Sequence, residues 1–244
     1  ELQKRFSHGL QFSGSYTWSK NLSDVGIALK GGEATVGGRS GTAMSSLWDY
    51  KGFDRGRADQ DAPQNLSFNY TYELPFGQGR TFGANLGKTA NAVVGGWQIN
   101  GVIRGRSGLP GGITGPGYTS ANYCRNCNVR PNLKPGGNNN PVLGKVDHWF
   151  DETQFELVQP GYYGNVGANT LSGPKQVSMD FSVFKGLPLG EKRNIQFRAE
   201  IFNIANHPNF SQASGAVFDT NAVVVASPGK ITSTNGPSRQ IQLA

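Results

Sequence analysis

The sequence predicts an all-β, antiparallel fold: a sector of about six strands from a large transmembrane β-barrel, with long extracellular loops and short periplasmic turns. Three observations predict it. Five segments of the 244-residue chain alternate apolar and polar side chains with period two, and a sixth begins near the C-terminus. Most of these run about nine to twelve residues, where soluble strands average five or six and a tilted bilayer-crossing strand takes about 9 to 11. The connections between them alternate between long and short, the asymmetry of outer-membrane barrels.

The elements follow in order. In the first strand Leu10, Phe12, Gly14, Tyr16 and Trp18 oppose Gln11, Ser13, Ser15, Thr17 and Ser19. Ahead of it, Glu1-Leu2-Gln3 reads as the tail of an alternating stretch that began earlier. The second strand sets Leu66, Phe68, Tyr70, Tyr72 and Leu74 against Asn65, Ser67, Asn69, Thr71 and Glu73. A weaker third has Trp97, Ile99, Gly101 and Ile103 opposite Gln98, Asn100, Val102, Arg104 and Arg106. The fourth places Val177, Met179, Phe181 and Val183 against Gln176, Ser178, Asp180 and Ser182. The fifth places Ile195, Phe197, Ala199 and Ile201 against Asn194, Gln196, Arg198 and Glu200. The sixth begins at Arg239, with Ile241 and Leu243 opposing Gln240 and Gln242. Helix-period patterning of comparable length is absent.

With strands ending near 21, 76, 107, 184 and 204, the connections hold about 43, 16, 68, 9 and 33 residues, and a compact soluble domain has little use for such long loops. Aromatic residues near strand ends (Tyr16, Trp18, Tyr70, Tyr72 and Trp97) suit interfacial girdles, although aromatics also form strands well in any setting. Six strands spaced about 4.8 Å apart make a sheet about 29 Å wide, and the smallest bacterial barrels use eight. The chain therefore reads as part of a larger wall.

Composition narrows the function classes. Charged residues are only 16% of the chain against roughly a quarter in ordinary soluble domains, with 35 glycines and uncharged polar residues in their place. The longest apolar run is the five residues Ala222 to Ala226, far short of the about 20 that a membrane helix needs. Fourteen Phe, 8 Tyr and 4 Trp argue against a solvated coil. The net charge of +7 could suggest nucleic acid, but the longest basic runs are the pairs Lys4-Arg5 and Lys192-Arg193, with no stripe to track phosphates. No nucleic-acid partner is expected. The sequence opens at Glu1 with neither an initiator Met nor a charged and apolar leader, so no targeting segment is visible in it.

Motifs for covalent chemistry are weak, and no enzymatic activity, cofactor or metal site is expected. Gly83-Ala84-Asn85-Leu86-Gly87-Lys88-Thr89 resembles a phosphate loop with one residue too few between its glycines, and the stretch after it reads as leading into a strand without a helix. There is no G-x-S-x-G and no H-E-x-x-H, and His8, His148 and His207 fall in separate connections. Cys124 and Cys127 form one C-x-x-C inside the longest loop without a second ligand pair. In an exported protein they are disulfide candidates, with free thiols the other reading.

The polar strand faces are mostly Ser, Thr, Asn and Gln, interspersed with Arg104, Arg106, Asp180, Arg198 and Glu200. A solvated sandwich face would be richer in Lys and Glu, whereas a water-filled lumen or a surface against an internal plug favours this hydrogen-bonding set. Arg104, Arg106, Arg198 and Glu200 are the ligand or lumen candidates, the last two also suiting ordinary lumenal ion pairing.

Several blocks then resemble one family. The stretch FRAEIFNIANHPNF (197–210), preceded by DFSVFKGLPLGEKRNIQ (180–196), is similar to the C-terminal barrel region of Oar-like TonB-dependent receptors. GLQFSGSYTWSK (9–20), DRGRADQDAPQNLSFNYTYELPFGQGR (54–80), GGWQINGVIRGRSGLP (95–110), VRPNL (129–133), WFDETQF (149–155) and YGNVGANTLSGP (163–174) agree in order, over nearly the whole chain. The resemblance implies a place in the outer membrane of a Gram-negative bacterium, within a 22-stranded barrel that surrounds an N-terminal plug. It implies import of a scarce solute powered through TonB. Outer-membrane lipid, the remaining strands, the plug and the TonB complex are then the partners, with the solute unidentified. The sequence carries no plug, TonB box or regulatory domain and reads as clipped at both ends, residues 1–244 being a partial barrel domain with its last strand truncated. The alternative is a soluble or surface-attached β-sandwich adhesin or carbohydrate-binding module, which would bury the apolar face against a second sheet.

Overall fold

A computed structural model describes residues 1–23, 55–115, 130–159, 162, 164–188 and 193–244. Seven strands form one antiparallel sheet in which every neighbour in space is the next strand in sequence: β1 (Leu2–Ser7), β2 (Leu10–Trp18), β3 (Gln64–Glu73), β4 (Trp97–Arg106), β5 (Gln176–Pro188), β6 (Asn194–Phe202) and β7 (Gln240–Leu243). Six coincide with the alternating segments of the sequence. The seventh, β1, is the stretch glimpsed at Glu1-Leu2-Gln3, and it joins β2 through a two-residue hairpin at His8-Gly9, whose φ angles of 52° and 77° match the right-handed twist of the flanking strands.

Register keeps the two faces apart. Phe12 stands opposite Tyr70, Tyr70 opposite Gly101, Gly101 opposite Phe181 and Phe181 opposite Ile201, which faces Ile241. A slip of one residue in any pair would turn a whole strand's apolar set to the wrong side, so this row specifies the alignment of six strands together. Two glycines on the apolar face make room for cross-strand aromatics. A Cβ on Gly101 would sit 2.4 Å from the Tyr70 ring, and one on Gly14 would sit 3.1 Å from the Phe68 ring.

Among the described residues no second sheet covers this apolar face. Trp18 is 81% exposed and Ile241 67%, and Tyr16, Leu66, Met179, Ile195 and Phe197 are exposed as well. The burial that a sandwich requires is missing, and lipid is the solvent such a face suits. Ten-residue strands such as β3 and β4 extend about 33 Å, or about 25 Å along the membrane normal at a tilt near 40°, which matches the apolar band of outer-membrane barrels. Tyr16 and Trp18 lie at one end of the sheet, with Tyr72 and Trp97 at the other, so the aromatics form two belts. A buried cation shares the apolar side: the Lys185 ammonium donates to the carbonyls of Gly95 and Val93 and lies 5.2 Å from the Trp97 ring centre, at the short-turn end.

The connection between β3 and β4 departs from the sequence reading. A helix, α1 (Lys88–Val94), follows the Gly87-Lys88-Thr89 stretch where none was expected. It is only two turns long, too short for a helical period to emerge, and no side chain caps its N-terminus. The phosphate-loop spacing fails regardless.

At the opposite end the long connections fold into a cap. Short antiparallel pairs join Pro110–Gly111 to Leu171–Ser172, Asn132–Leu133 to Phe155–Glu156, and Val142–Lys145 to His148–Phe150. Between them lies the chain's buried apolar core, in which Ile113, Phe150, Leu171 and Val217 are fully buried beside Phe155, Val166 and Phe218. Val217 and Phe218 belong to the loop between β6 and β7 and the others to the loop between β4 and β5, so two loops share one core.

Candidate functional site

The polar face of the sheet lies beneath this cap. Across β2 to β5 its uppermost row is Thr17, Asn65, Arg106 and Gln176, and the row below is Ser15, Ser67, Arg104 and Ser178. Arg104 and Arg106 are therefore flanked on both sides by neutral hydrogen-bonding groups. Both side chains are exposed, and neither has a hydrogen bond or ion-pair partner among the described residues. A cavity of about 310 Å³ opens against them, lined also by Asn65, Gln176, Ser178 and Asn209.

The loop after β6 borders that cavity through Asn209 and Asn235, and three asparagines pin it. Asn203, with φ of 50°, accepts the His207 amide on its Oδ1, donates from Nδ2 to the carbonyls of His207 and Pro237, and gives its own backbone N–H to Asp180 Oδ1. Asn206 Oδ1 accepts the Arg239 amide just before β7. Asn209 accepts the Val177 amide at 2.7 Å and donates to the Val177 carbonyl at 2.8 Å, standing in for a neighbouring strand where β5 extends past its pairing with β6. Gln176 adds a bond to the Phe210 carbonyl. Asparagine suits such positions because it tolerates positive φ and carries both a donor and an acceptor.

A second set of polar contacts ties the base of the first long loop to the cap. The Asp61 side chain is almost fully buried, receiving Arg57 Nε at 2.8 Å on one oxygen and the Asn21 amide at 2.8 Å on the other. Arg57 continues to Ser172 Oγ at 3.0 Å, while Asn169 Nδ2 reaches both the Arg57 carbonyl and Asp59 Oδ1. All three long loops therefore meet at one end of the sheet. On the cap itself, Asp151 accepts the Thr153 hydroxyl and Gln154 Nε2, and these bonds hold its carboxyl below the usual value, with His148 adding a smaller pull.

The four lumen candidates do not form one site. Arg104 and Arg106 sit together below the cap, whereas Glu200 lies on the Asn100 row and Arg198 on the Gln98 row, about 13 and 20 Å lower along the strands. Arg198 and Glu200 make no ion pair with each other: Arg198 Nε donates to Gln196 Oε1 at 2.9 Å and its guanidinium lies 5.2 Å from the Phe184 ring centre. Cys124 and Cys127 lie outside the described residues. The asparagines and the Arg57–Asp61 pair escaped the sequence reading, although both lie inside blocks that carry the family resemblance.

With the sheet, its apolar exterior and its capped polar wall in place, the comparison with known families is decisive. Residues 1–242 match the outer membrane beta barrel domain family. The chain belongs to that family. Its place is accordingly the outer membrane of a Gram-negative bacterium, with the apolar face of β1 to β7 toward lipid and the polar rows toward the lumen. Bacterial barrels put tight turns in the periplasm, so the His8-Gly9 hairpin and the α1 connection of this outer membrane beta barrel domain are periplasmic and its cap is extracellular. No curated protein and no solved structure matches the chain.

Proposed function

We propose that this chain is the C-terminal sector of the barrel of a TonB-dependent receptor, which binds a scarce solute at the cell surface and admits it to the periplasm. The observation that carries the reading is the cap. Three long loops gather at one end of the sheet, two around a shared core and the third tied to them by buried polar contacts, directly over a polar wall, so the mouth presents a pre-shaped surface that costs little ordering when a ligand arrives. The Oar-like sequence blocks support the same reading, and several of their residues build this cap: Arg57, Asp59 and Asp61 from one block, and Asn203, Asn206 and Asn209 from another.

The mechanism is enclosure and contact without a covalent step. Seven strands in an open sheet are short of the eight that the smallest bacterial barrels use, so in this reading further strands of the full-length protein complete the wall, an N-terminal plug fills it, and the TonB complex engages that N-terminal region, outside this sequence. The test compares solutes depleted from the medium by three strains: wild type, one lacking the receptor and one lacking TonB. The reading expects the same solute to remain undepleted in both mutants. A solute that depends on the receptor but is taken up normally without TonB would contradict it and indicate a passive channel.

A further inference from the structure

We infer that Arg104 and Arg106 form an anion-recognition site on the lumen wall, suited to a small solute with two oxyanion groups such as a polycarboxylate or a pyrophosphate. The inference rests on the receptor reading and names the chemistry of its ligand. Two residues apart on β4, the side chains leave the sheet on the same side about 7 Å from each other, so two guanidiniums of like charge share one surface. Among the described residues no carboxylate pairs with either of them. The flanking positions on β3 and β5 are Asn65, Ser67, Gln176 and Ser178, all neutral. The closest acidic position on that face, Asp180, lies one row below and already accepts the Asn203 amide.

Three other arginines have partners. Arg57 is paired with Asp61, Arg80 with Glu73 at 2.7 Å, and Arg198 is stacked on Phe184. At Arg104 and Arg106 the same residue type stands unpaired beside a cavity of about 310 Å³, at the lower end of the range for small-molecule sites. A guanidinium presents a planar fork of N–H donors that matches carboxylate and phosphate oxygens, and two forks about 7 Å apart match two such groups better than one. The amide and hydroxyl groups around them can bond to a ligand's neutral part. Below the cap, an entering solute meets this pair on the topmost rows of the wall.

The test uses the full-length receptor in detergent micelles, titrated with citrate and with pyrophosphate by calorimetry, and with sucrose as a neutral control. Saturable binding of a dianionic probe, weakened roughly ten- to hundredfold in the Arg104→Gln/Arg106→Gln variant and unchanged in Arg198→Gln, is the expected result. Each single variant should weaken binding on its own, and Arg104→Lys/Arg106→Lys should restore part of it. Unchanged heat-modifiable mobility on gels establishes that the variants are folded. Absence of saturable binding to either probe, or equal binding by the wild type and the folded double variant, would overturn the inference. These titrations need neither TonB nor an energy source, so their failure would leave the TonB-dependence of uptake standing, and a passive-channel result in the uptake assay would not alter them.

Discussion

Phe150→Ala should loosen the extracellular cap and leave the sheet intact. Phe150 is fully buried, with its ring 6.1 Å from Phe155 in an edge-on arrangement and against the backbone of Gly229, where an added Cβ would lie 2.9 Å from the ring. Truncating a buried phenylalanine removes its transfer free energy and leaves a cavity, together about 3–5 kcal/mol. At about 1.4 kcal/mol per tenfold, the cap's opening equilibrium rises roughly a hundred- to several-thousandfold. The amides that report opening are those of Trp149, bonded to the Gly229 carbonyl, Ile231, bonded to Val146, and Val217, bonded to Thr114. Hydrogen exchange by mass spectrometry on the receptor in outer-membrane vesicles should show peptides over 145–150 and 229–231 accelerating by up to that factor. Peptides from β4 and β5 should keep the wild-type rate. Equal acceleration in the strands would show that cap and wall open together and refute the separation argued here, and an unchanged cap would refute its core.

Other expectations follow from single contacts. Asp61→Asn removes the carboxylate charge that faces the Arg57 guanidinium and turns one of the two buried acceptor oxygens into an NH2 donor, a loss of about 1–3 kcal/mol, and should make the base of the first long loop newly sensitive to protease added to intact cells. Gly101→Leu should block barrel assembly by clashing with the Tyr70 ring, measured as loss of the heat-modifiable band, and adding Tyr70→Ala should recover part of it. Because hydrogen bonds depress the Asp151 carboxyl below 3.8, its contribution to cap stability is present above that pH and lost as pH falls through the depressed value; exchange in the peptide over 151–156 should therefore rise below about pH 4 in the wild type and show no such step in Asp151→Asn.

The wall was legible from sequence because its determinants are local and periodic. Residues such as Leu66, Phe68, Tyr70 and Tyr72 announce a strand and its apolar side together, and the observed register joins those sides without exception from β2 to β7. The first strand was visible only as a tail because it is short and places Lys4 on the apolar side opposite Phe12, and because its turn uses His8 where Asn or Asp would signal a hairpin. In the sequence the cap is visible only as long loops. Its core gathers Ile113, Phe150, Leu171 and Val217 from positions more than a hundred residues apart with no period to connect them, and the asparagine ties run from side chain to distant backbone. At the candidate site, the sequence picked out Arg104 and Arg106 by their face. That they stand unpaired while Arg198 is stacked and bonded to Gln196 depends on neighbours across strands, which only register reveals.

The central claim is that the capped end of this sheet faces the outside of the cell and the short turns face the periplasm. Single cysteines at exposed Asp147, on the tip of a cap hairpin, and exposed Gln78, in the connection between β3 and β4, test it most directly in a full-length receptor from which Cys124 and Cys127 have been removed. A membrane-impermeant maleimide added to whole cells should label the cysteine at 147, and the cysteine at 78 only after the outer membrane is permeabilised. The reverse pattern would invert the topology, and labelling of both positions on intact cells would contradict a membrane-spanning wall.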